Sequence, residues 1–150
     1  MTVRPATESD IPTLLLLGAD FAAWAGHRFD PEKVRGVLLT AVTSDTQVVL
    51  VYDVAGQVVG GLMGMLYVPW LIDSELWAVE LAWWVDPTKR GSAGVRLLQA
   101  FEQWGRDHGA VSVSMSCFAT LDSPASQLLA RTGYKPTEVT HYKEIRQCQQ

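Results

Sequence analysis

Apolar side chains recur at helical spacing in two runs near the start of the chain, and each run follows residues that favour a helix start. The first run follows the capping residues Thr7–Asp10. Its apolar positions are Ile11, Leu14, Leu15, Gly18 and Phe21. The second run follows Asp30-Pro31-Glu32, where Asp30 suits the cap and Pro31 the first helical position. The pattern predicts two successive helices.

From Gln47 onward the period changes to the alternation that is typical of strands. The β-branched and apolar segments Gln47–Tyr52 and Val58–Val68 flank the turn Asp53–Gln57 and predict a hairpin. A third strand is predicted over Glu75–Val85, where Asp86-Pro87 ends it.

The last part of the chain predicts helices and strands in alternation. The predicted elements are a helix over Ala93–His108, a strand over Val111–Cys117, a helix from Asp122-Ser123-Pro124 to about Arg131, and a strand over Thr137–Ile145. A short strand at Val3–Ala6 opens the chain. The complete order is β-α-α-β-β-β-α-β-α-β.

This order predicts an α+β fold with a mixed central sheet flanked by helices. The strand before the glycine-containing turn at Gly91, the helix after it and the next strand form a right-handed βαβ unit. We expect one domain over residues 1–146 and a polar tail over residues 147–150.

Composition narrows the class of protein. The chain has 150 residues, of which 48% are hydrophobic and 19% charged, as in a folded globular domain. The net charge of −4 argues against a nucleic-acid partner. No apolar run suits a membrane span or a secretion signal, so we expect a cytoplasmic protein without a membrane partner. The two cysteines form no cluster with metal-ligand spacing, so we expect no metal.

The candidate chemistry lies in the turn Lys89-Arg90-Gly91-Ser92-Ala93-Gly94. It joins a predicted strand to a predicted helix, and a helix start exposes unpaired N–H groups and the positive end of the helix dipole. Glycines let an anion approach that backbone, and two basic side chains stand beside it, so the turn predicts a phosphate site. The alternative is a tight turn without a ligand. The segment matches neither a Walker loop nor a dinucleotide fingerprint.

The same segment resembles the acetyl-coenzyme A motif of the GNAT superfamily of N-acetyltransferases. Lys89 stands at the motif's Arg/Gln position, Ser92 and Gly94 at its two glycines, and Leu97-Leu98 at its leucine pair. Lys and Ser are departures from the usual residues. Further resemblances follow in family order: Val3–Ala6 with Asp10-Ile11, then Gly60-Gly61, then Ala130–Tyr134.

The resemblance implies transfer of an acetyl group from acetyl-CoA, as co-substrate, to a primary amine of a small molecule or a protein. It places Trp83, Trp84 and Val85 along the pantetheine arm of the coenzyme. It places the turn around the pyrophosphate, through Lys89, Arg90, Gly91, Ser92, Ala93, Gly94 and Val95. A longer acyl donor, or a non-catalytic CoA-binding or interaction module of the same fold, stays open as an alternative.

The resemblance also suggests catalytic and acceptor residues. Glu80 matches the family's strand glutamate and is the predicted general base; the alternative is an ordinary strand carboxylate. The family's tyrosine acid has no counterpart, because Leu129 is at its place, so Tyr134 and Tyr142 are the substitutes, or water protonates the thiolate.

The segment between the first two helices covers the acceptor in the family. Arg28 and Asp30 are therefore the predicted substrate-binding residues, together with Glu75. The short C-terminal part of the sheet leaves an edge that a homodimer would cover.

Overall fold

The computed structural model describes residues 1–71, 74–117, 123–141 and 143 of the chain. These residues form two compact units, Met1–Phe118 and Ala119–Gln150. The elements of the first unit are β1 (Thr2–Pro5), α1 (Ile11–Trp24), α2 (Pro31–Val42), β2 (Gln47–Val54), β3 (Gln57–Tyr67), β4 (Trp77–Val85), α3 (Ser92–Asp107) and β5 (Ser112–Ser114). The second unit contains α4 (Pro124–Arg131).

The five strands form one sheet in the order β1-β2-β3-β4-β5. The first four pair antiparallel in succession, and β5 runs parallel to β4 after the crossover through α3. This confirms the predicted mixed sheet with a βαβ unit, and the α+β class. Among the helices in the described part of the chain, none has both the length and the apolar character that a bilayer crossing requires.

Alternate residues of β2 divide the core between the two faces of the sheet. Val48 and Leu50 belong to one apolar cluster, whereas Val49 and Val51 belong to another, as successive side chains of a strand must. The α3 residues Leu97 and Phe101 complete the first cluster. The α1 and α2 residues Ile11, Leu14, Leu15, Leu38 and Ala41 complete the second. Helices therefore cover both faces.

Local signals set the helix starts as predicted. The Asp30 carboxylate accepts a hydrogen bond from the Lys33 N–H at 3.1 Å, and Pro31 occupies the first position of α2. In the second unit, the Ser123 hydroxyl accepts from the Ser126 N–H at 3.2 Å at the start of α4. A glycine with positive φ, Gly133 at 97°, follows the end of that helix.

The structure corrects several predicted strand bounds. The strand predicted from Glu75 begins at Trp77, and the one predicted over Val111–Cys117 is confined to Ser112–Ser114. The predicted last strand is wrong for residues 137–141, which have no regular structure. These residues are exposed, Val139 at 79%, and no described strand pairs with them, so β-propensity alone does not order them. Residues 142, 144 and 145 of that prediction lie outside the described residues.

Candidate active site

Strands β4 and β5 separate part-way along β4. Pairing with β5 covers only Trp77, Ala78 and Val79, whereas pairing with β3 continues to Val85, opposite Gly60. Residues 80–85 therefore have a strand partner on one side only within the described chain. Such a free edge can bind an extended ligand through main-chain hydrogen bonds.

A β-bulge marks the point of separation. Glu80 pairs with Gly64 and Ala82 with Met63, so Leu81 is an extra residue in β4. The bulge reverses the alternation of side chains. Ala78 and Val85 both lie in the α3-side cluster, although they are an odd number of positions apart and would lie on opposite faces of a regular strand. Downstream of the bulge, Trp83 consequently packs on the α3 side, and Trp84 turns toward α1.

Glu80 bridges the gap that opens between the two strands. Its Oε2 accepts a hydrogen bond from the backbone N–H of Ser116 at 3.0 Å, and the residue is 8% exposed. Burial raises the pKa of Glu80 to about 7, and the hydrogen bond from Ser116 opposes this only in part. A carboxyl group with a pKa near neutrality exchanges a proton readily at physiological pH.

The turn between β4 and α3 leaves the start of the helix open to a ligand. The Asp86 carboxylate accepts hydrogen bonds from the backbone N–H and the hydroxyl of Thr88, both at 2.8 Å, which shapes the 3₁₀ turn Pro87–Lys89. Gly91 follows with φ at 117° and ψ at −121°, and no side chain caps α3 there. The first N–H groups of a helix without a cap form an anion site.

The two basic side chains of this turn, Lys89 and Arg90, differ in their contacts. Lys89 and Arg90 are exposed. The Arg90 guanidinium carbon lies 4.9 Å from the ring centroid of Trp84, and its Nε donates to the Val85 carbonyl at 3.4 Å. Ala93 is buried in the α3-side core and thereby anchors the first turn of the helix.

Trp84 also belongs to an aromatic cluster with α1. Its ring centroid lies 5.4 Å from that of Phe21 and 5.5 Å from that of Trp24. The indole nitrogens of Trp83 and Trp84 are buried and have no hydrogen-bond partner among the described residues. The two tryptophans pack on opposite faces of the sheet, Trp83 on the α3 side and Trp84 against α1.

A groove of about 380 Å³ runs between α1, α2 and the sheet on this side. Arg28, Asp30 and Lys33 line it at the junction of the two helices. Its apolar wall includes Leu14, Phe21, Phe29, Met63 and Trp84. Ala82 also contributes, so the groove reaches β4 just beyond the bulge, whereas Glu80 does not line it.

Comparison with known proteins identifies the family. The model of the acetyltransferase (GNAT) family matches residues 16–134. The chain belongs to this family. The predicted resemblance is thereby confirmed, and with it the class of enzyme, an N-acetyltransferase whose general activity is acetyl transfer from acetyl-CoA. A sequence comparison with curated proteins found no match.

Solved structures share the GNAT fold at low identity. A transcriptional regulator from Bacillus halodurans C-125 superposes with a TM-score of 0.80 at 16% identity, covering 96% of this chain and 99% of that one. The aminoglycoside N-acetyltransferase AAC(6')-Iy in complex with CoA gives 0.79 at 15% identity, covering 97% and 95%. The aminoglycoside acetyltransferase meta-AAC0020, from an uncultured soil metagenomic sample in complex with sisomicin, gives 0.72 at 19% identity, covering 97% and 96%.

Within this GNAT fold, the structure brings together only some of the predicted site residues. Glu80 and the residues predicted to contact the cofactor lie on β4, in the following turn and at the start of α3. Arg28 and Asp30 lie in the groove, whereas Glu75 precedes β4 at the strand end remote from the turn and does not line the groove. Tyr134 follows α4 in the second unit, where its N–H donates to the Leu129 carbonyl at 3.0 Å. Tyr142 lies outside the described residues.

Sequence reasoning missed the partner of Glu80 and the wall of the groove. Ser116 is 36 residues away and contributes only its backbone N–H, which no side-chain pattern reveals. The helical spacing of Phe21 predicted a core position, and no pattern singled out Phe29. Among the described residues, no group of three or more His, Cys, Asp or Glu side chains is placed to hold a metal ion.

Proposed function

We propose that this acetyltransferase moves the acetyl group of acetyl-CoA to a primary amine of a small molecule, with Glu80 as general base. The observation that carries the proposal is the position of Glu80 at the bulge where β4 and β5 separate. There a carboxyl group with a pKa of about 7 lies next to the free strand edge.

The residues present suit the coenzyme. The free edge at Trp83, Trp84 and Val85 offers main-chain groups to an extended pantetheine arm. The start of α3, from Gly91 to Val95, offers unpaired N–H groups to a diphosphate, and Lys89 and Arg90 add positive charge. When bound there, acetyl-CoA supplies the thioester that is attacked.

Glu80 would handle the proton that the reaction releases. An alkyl amine has a pKa of about 10.4 and is mostly protonated in water, yet only its neutral form attacks a thioester carbonyl. Glu80 accepts the proton from the amine, directly or through a water molecule, as the C–N bond forms. The C–S bond then breaks, and the departing thiolate is protonated. Backbone N–H groups of the free edge of β4 are the donors available to the developing oxyanion.

The departing thiolate requires a proton donor. Leu129 is buried and occupies the position at which the family often has a tyrosine. We propose Tyr134 and Tyr142 as the alternative acids, with water as the third source.

The size of the groove supports a small-molecule acceptor. Its volume of about 380 Å³ is at the lower end of the range of about 300–1,000 Å³ for small-molecule sites. Arg28 and Asp30 line it, as expected of acceptor-binding residues. The related structure solved with sisomicin shows that this fold can accommodate a small-molecule amine.

Release of free thiol from acetyl-CoA tests the proposal. The purified protein is incubated with acetyl-CoA and a panel of amines that includes aminoglycosides, polyamines, amino acids and a lysine-containing peptide. A colorimetric assay measures the release of free thiol, and mass spectrometry identifies the acetylated product. We expect amine-dependent thiol release with at least one small amine. Tight CoA binding by calorimetry without turnover of any amine would instead identify a non-catalytic CoA-binding module.

A further inference from the structure

The charges at the rim of the groove bear on the class of acceptor. Arg28, Asp30 and Lys33 line the groove where α1 gives way to α2. The start of α2, with the positive end of its dipole, lies at the same rim. The local field there is therefore positive, although the whole chain carries a net charge of −4.

Both cations of the rim are available to a ligand. Arg28 and Lys33 form no ion pair with any residue in the described part of the chain. By contrast, Arg4, Arg35 and Arg106 are each within 4.0 Å of a carboxylate.

The carboxylate of the rim is engaged through one oxygen. Asp30 Oδ1 accepts the Lys33 N–H at 3.1 Å as the cap of α2. An incoming cation would face two like charges and one carboxylate, whereas an incoming anion would meet two cationic donors.

The wall of the groove below this rim is apolar and aromatic. Phe29 and Met63 line it, together with Phe21 and Trp84, whose rings are in contact with centroids 5.4 Å apart. A polyhydroxylated or polycationic acceptor would lose its hydration against these side chains without hydrogen bonds in return. Burial of an apolar or aromatic part of the acceptor against these side chains would lower the free energy of binding.

We infer that the acceptor is an amine that carries a carboxylate on an apolar or aromatic body, such as an amino acid with a large apolar side chain. This inference rests on the proposed function. The carboxylate is held by Arg28 and Lys33, and the body packs on Phe29 and Trp84. The amine is then directed toward β4, where Ala82 lines the groove next to the free strand edge.

A matched set of amines tests the inference by kinetics. The set contains phenylalanine, its decarboxylated counterpart 2-phenylethylamine, and the polycation spermidine. Because two exposed cations would pair with one carboxylate, we expect kcat/KM to be higher for phenylalanine than for 2-phenylethylamine by about tenfold. A higher kcat/KM for spermidine or for 2-phenylethylamine would overturn the inference while leaving acetyl transfer itself established.

Two variants assign the effect to the rim. Arg28→Gln should reduce the preference for phenylalanine to about twofold or less, chiefly through KM. Arg35→Gln is the matched control, because Arg35 pairs with Glu32 on α2 and does not line the groove. It should keep the full preference. An unchanged preference in Arg28→Gln would contradict the assignment.

Binding of the acetylated products separates this inference from the proposed function. N-acetylphenylalanine keeps the carboxylate, whereas N-acetyl-2-phenylethylamine lacks it, and neither requires turnover. Calorimetry with the CoA-loaded protein should show tighter binding of N-acetylphenylalanine by about tenfold, and Arg28→Gln should reduce the difference to about twofold or less. Equal affinities in the wild-type protein would refute the inference whether or not the protein is catalytic.

Discussion

Glu80 accepts a hydrogen bond from the backbone N–H of Ser116 at 3.0 Å, across the point where β4 and β5 part. The bond lies just beyond the last strand pair, Val79 with Ser114. The same carboxyl group is buried, so its ionised form is disfavoured. The Glu80 side chain thus links the two strands where they separate, and its pKa of about 7 is close to physiological pH.

Replacing Glu80 with Gln should reduce kcat by about 100-fold or more, because general-base catalysis contributes about 10²–10⁴ in rate. Wild-type kcat should rise with pH and level off above about pH 7, as the Glu80 carboxyl ionises. The Gln variant should lose that rise. CoA affinity, measured by calorimetry, should be nearly unchanged. Glu102→Gln on α3 is the matched control, and an equal loss of rate there would remove Glu80 as the base.

The same Glu80→Gln substitution should increase stability at alkaline pH. The pKa of Glu80 rises from 4.5 to about 7 on folding, so its contribution to stability is complete below about pH 4.5 and is lost as the pH rises through 7. The full effect is on the order of 3 kcal/mol. Gln has no charge to bury and can still accept from Ser116. Urea unfolding should show a more stable variant at pH 8 and a smaller difference at pH 5; equal differences at both pH values would contradict this.

Gly91→Ala should weaken CoA binding by about tenfold, because φ of 117° is unfavourable for any residue with a Cβ by about 1–2 kcal/mol. A shift of the backbone to relieve that strain would move the N–H groups at the start of α3. Gly109→Ala is the control, since its φ of 79° is also positive but lies at the far end of the same helix. It should lower stability and leave CoA affinity unchanged. Similar CoA affinities for the two variants would disprove a binding role for Gly91.

Gly64→Ala should destabilise the protein by about 1–3 kcal/mol, because a Cβ there would overlap the ring of buried Phe101. Gly36→Ala provides the opposite case. Gly36 lies inside α2 with no atom near a Cβ, so the substitution should stabilise by up to about 1 kcal/mol. Thermal or urea unfolding of the two variants measures the change in the free energy of unfolding, which should have opposite signs. An unchanged stability of Gly64→Ala would show that Phe101 can repack.

The sequence by itself determined the features that depend on neighbouring residues. Asp30 and Pro31 start α2, the apolar spacing of α3 selects the face that packs on the sheet, and the alternation of β2 distributes side chains to both faces. The family motif around Lys89–Gly94 indicated the coenzyme for the same reason, because a strand, a turn of small residues and a helix start are consecutive in the chain.

Only the tertiary structure decided the features that depend on residues distant in the chain. The bulge at Leu81 results from a register shift in the pairing of β3 with β4. Because of this bulge, the Trp84 side chain lies on the α1 side of the sheet. The pKa of Glu80 depends on the burial of its carboxyl group, which its neighbours in sequence do not specify. Residues 137–141 have strand-forming side chains and no described partner strand. Pairing and desolvation are non-local free energies, whereas the sequence patterns report local preference.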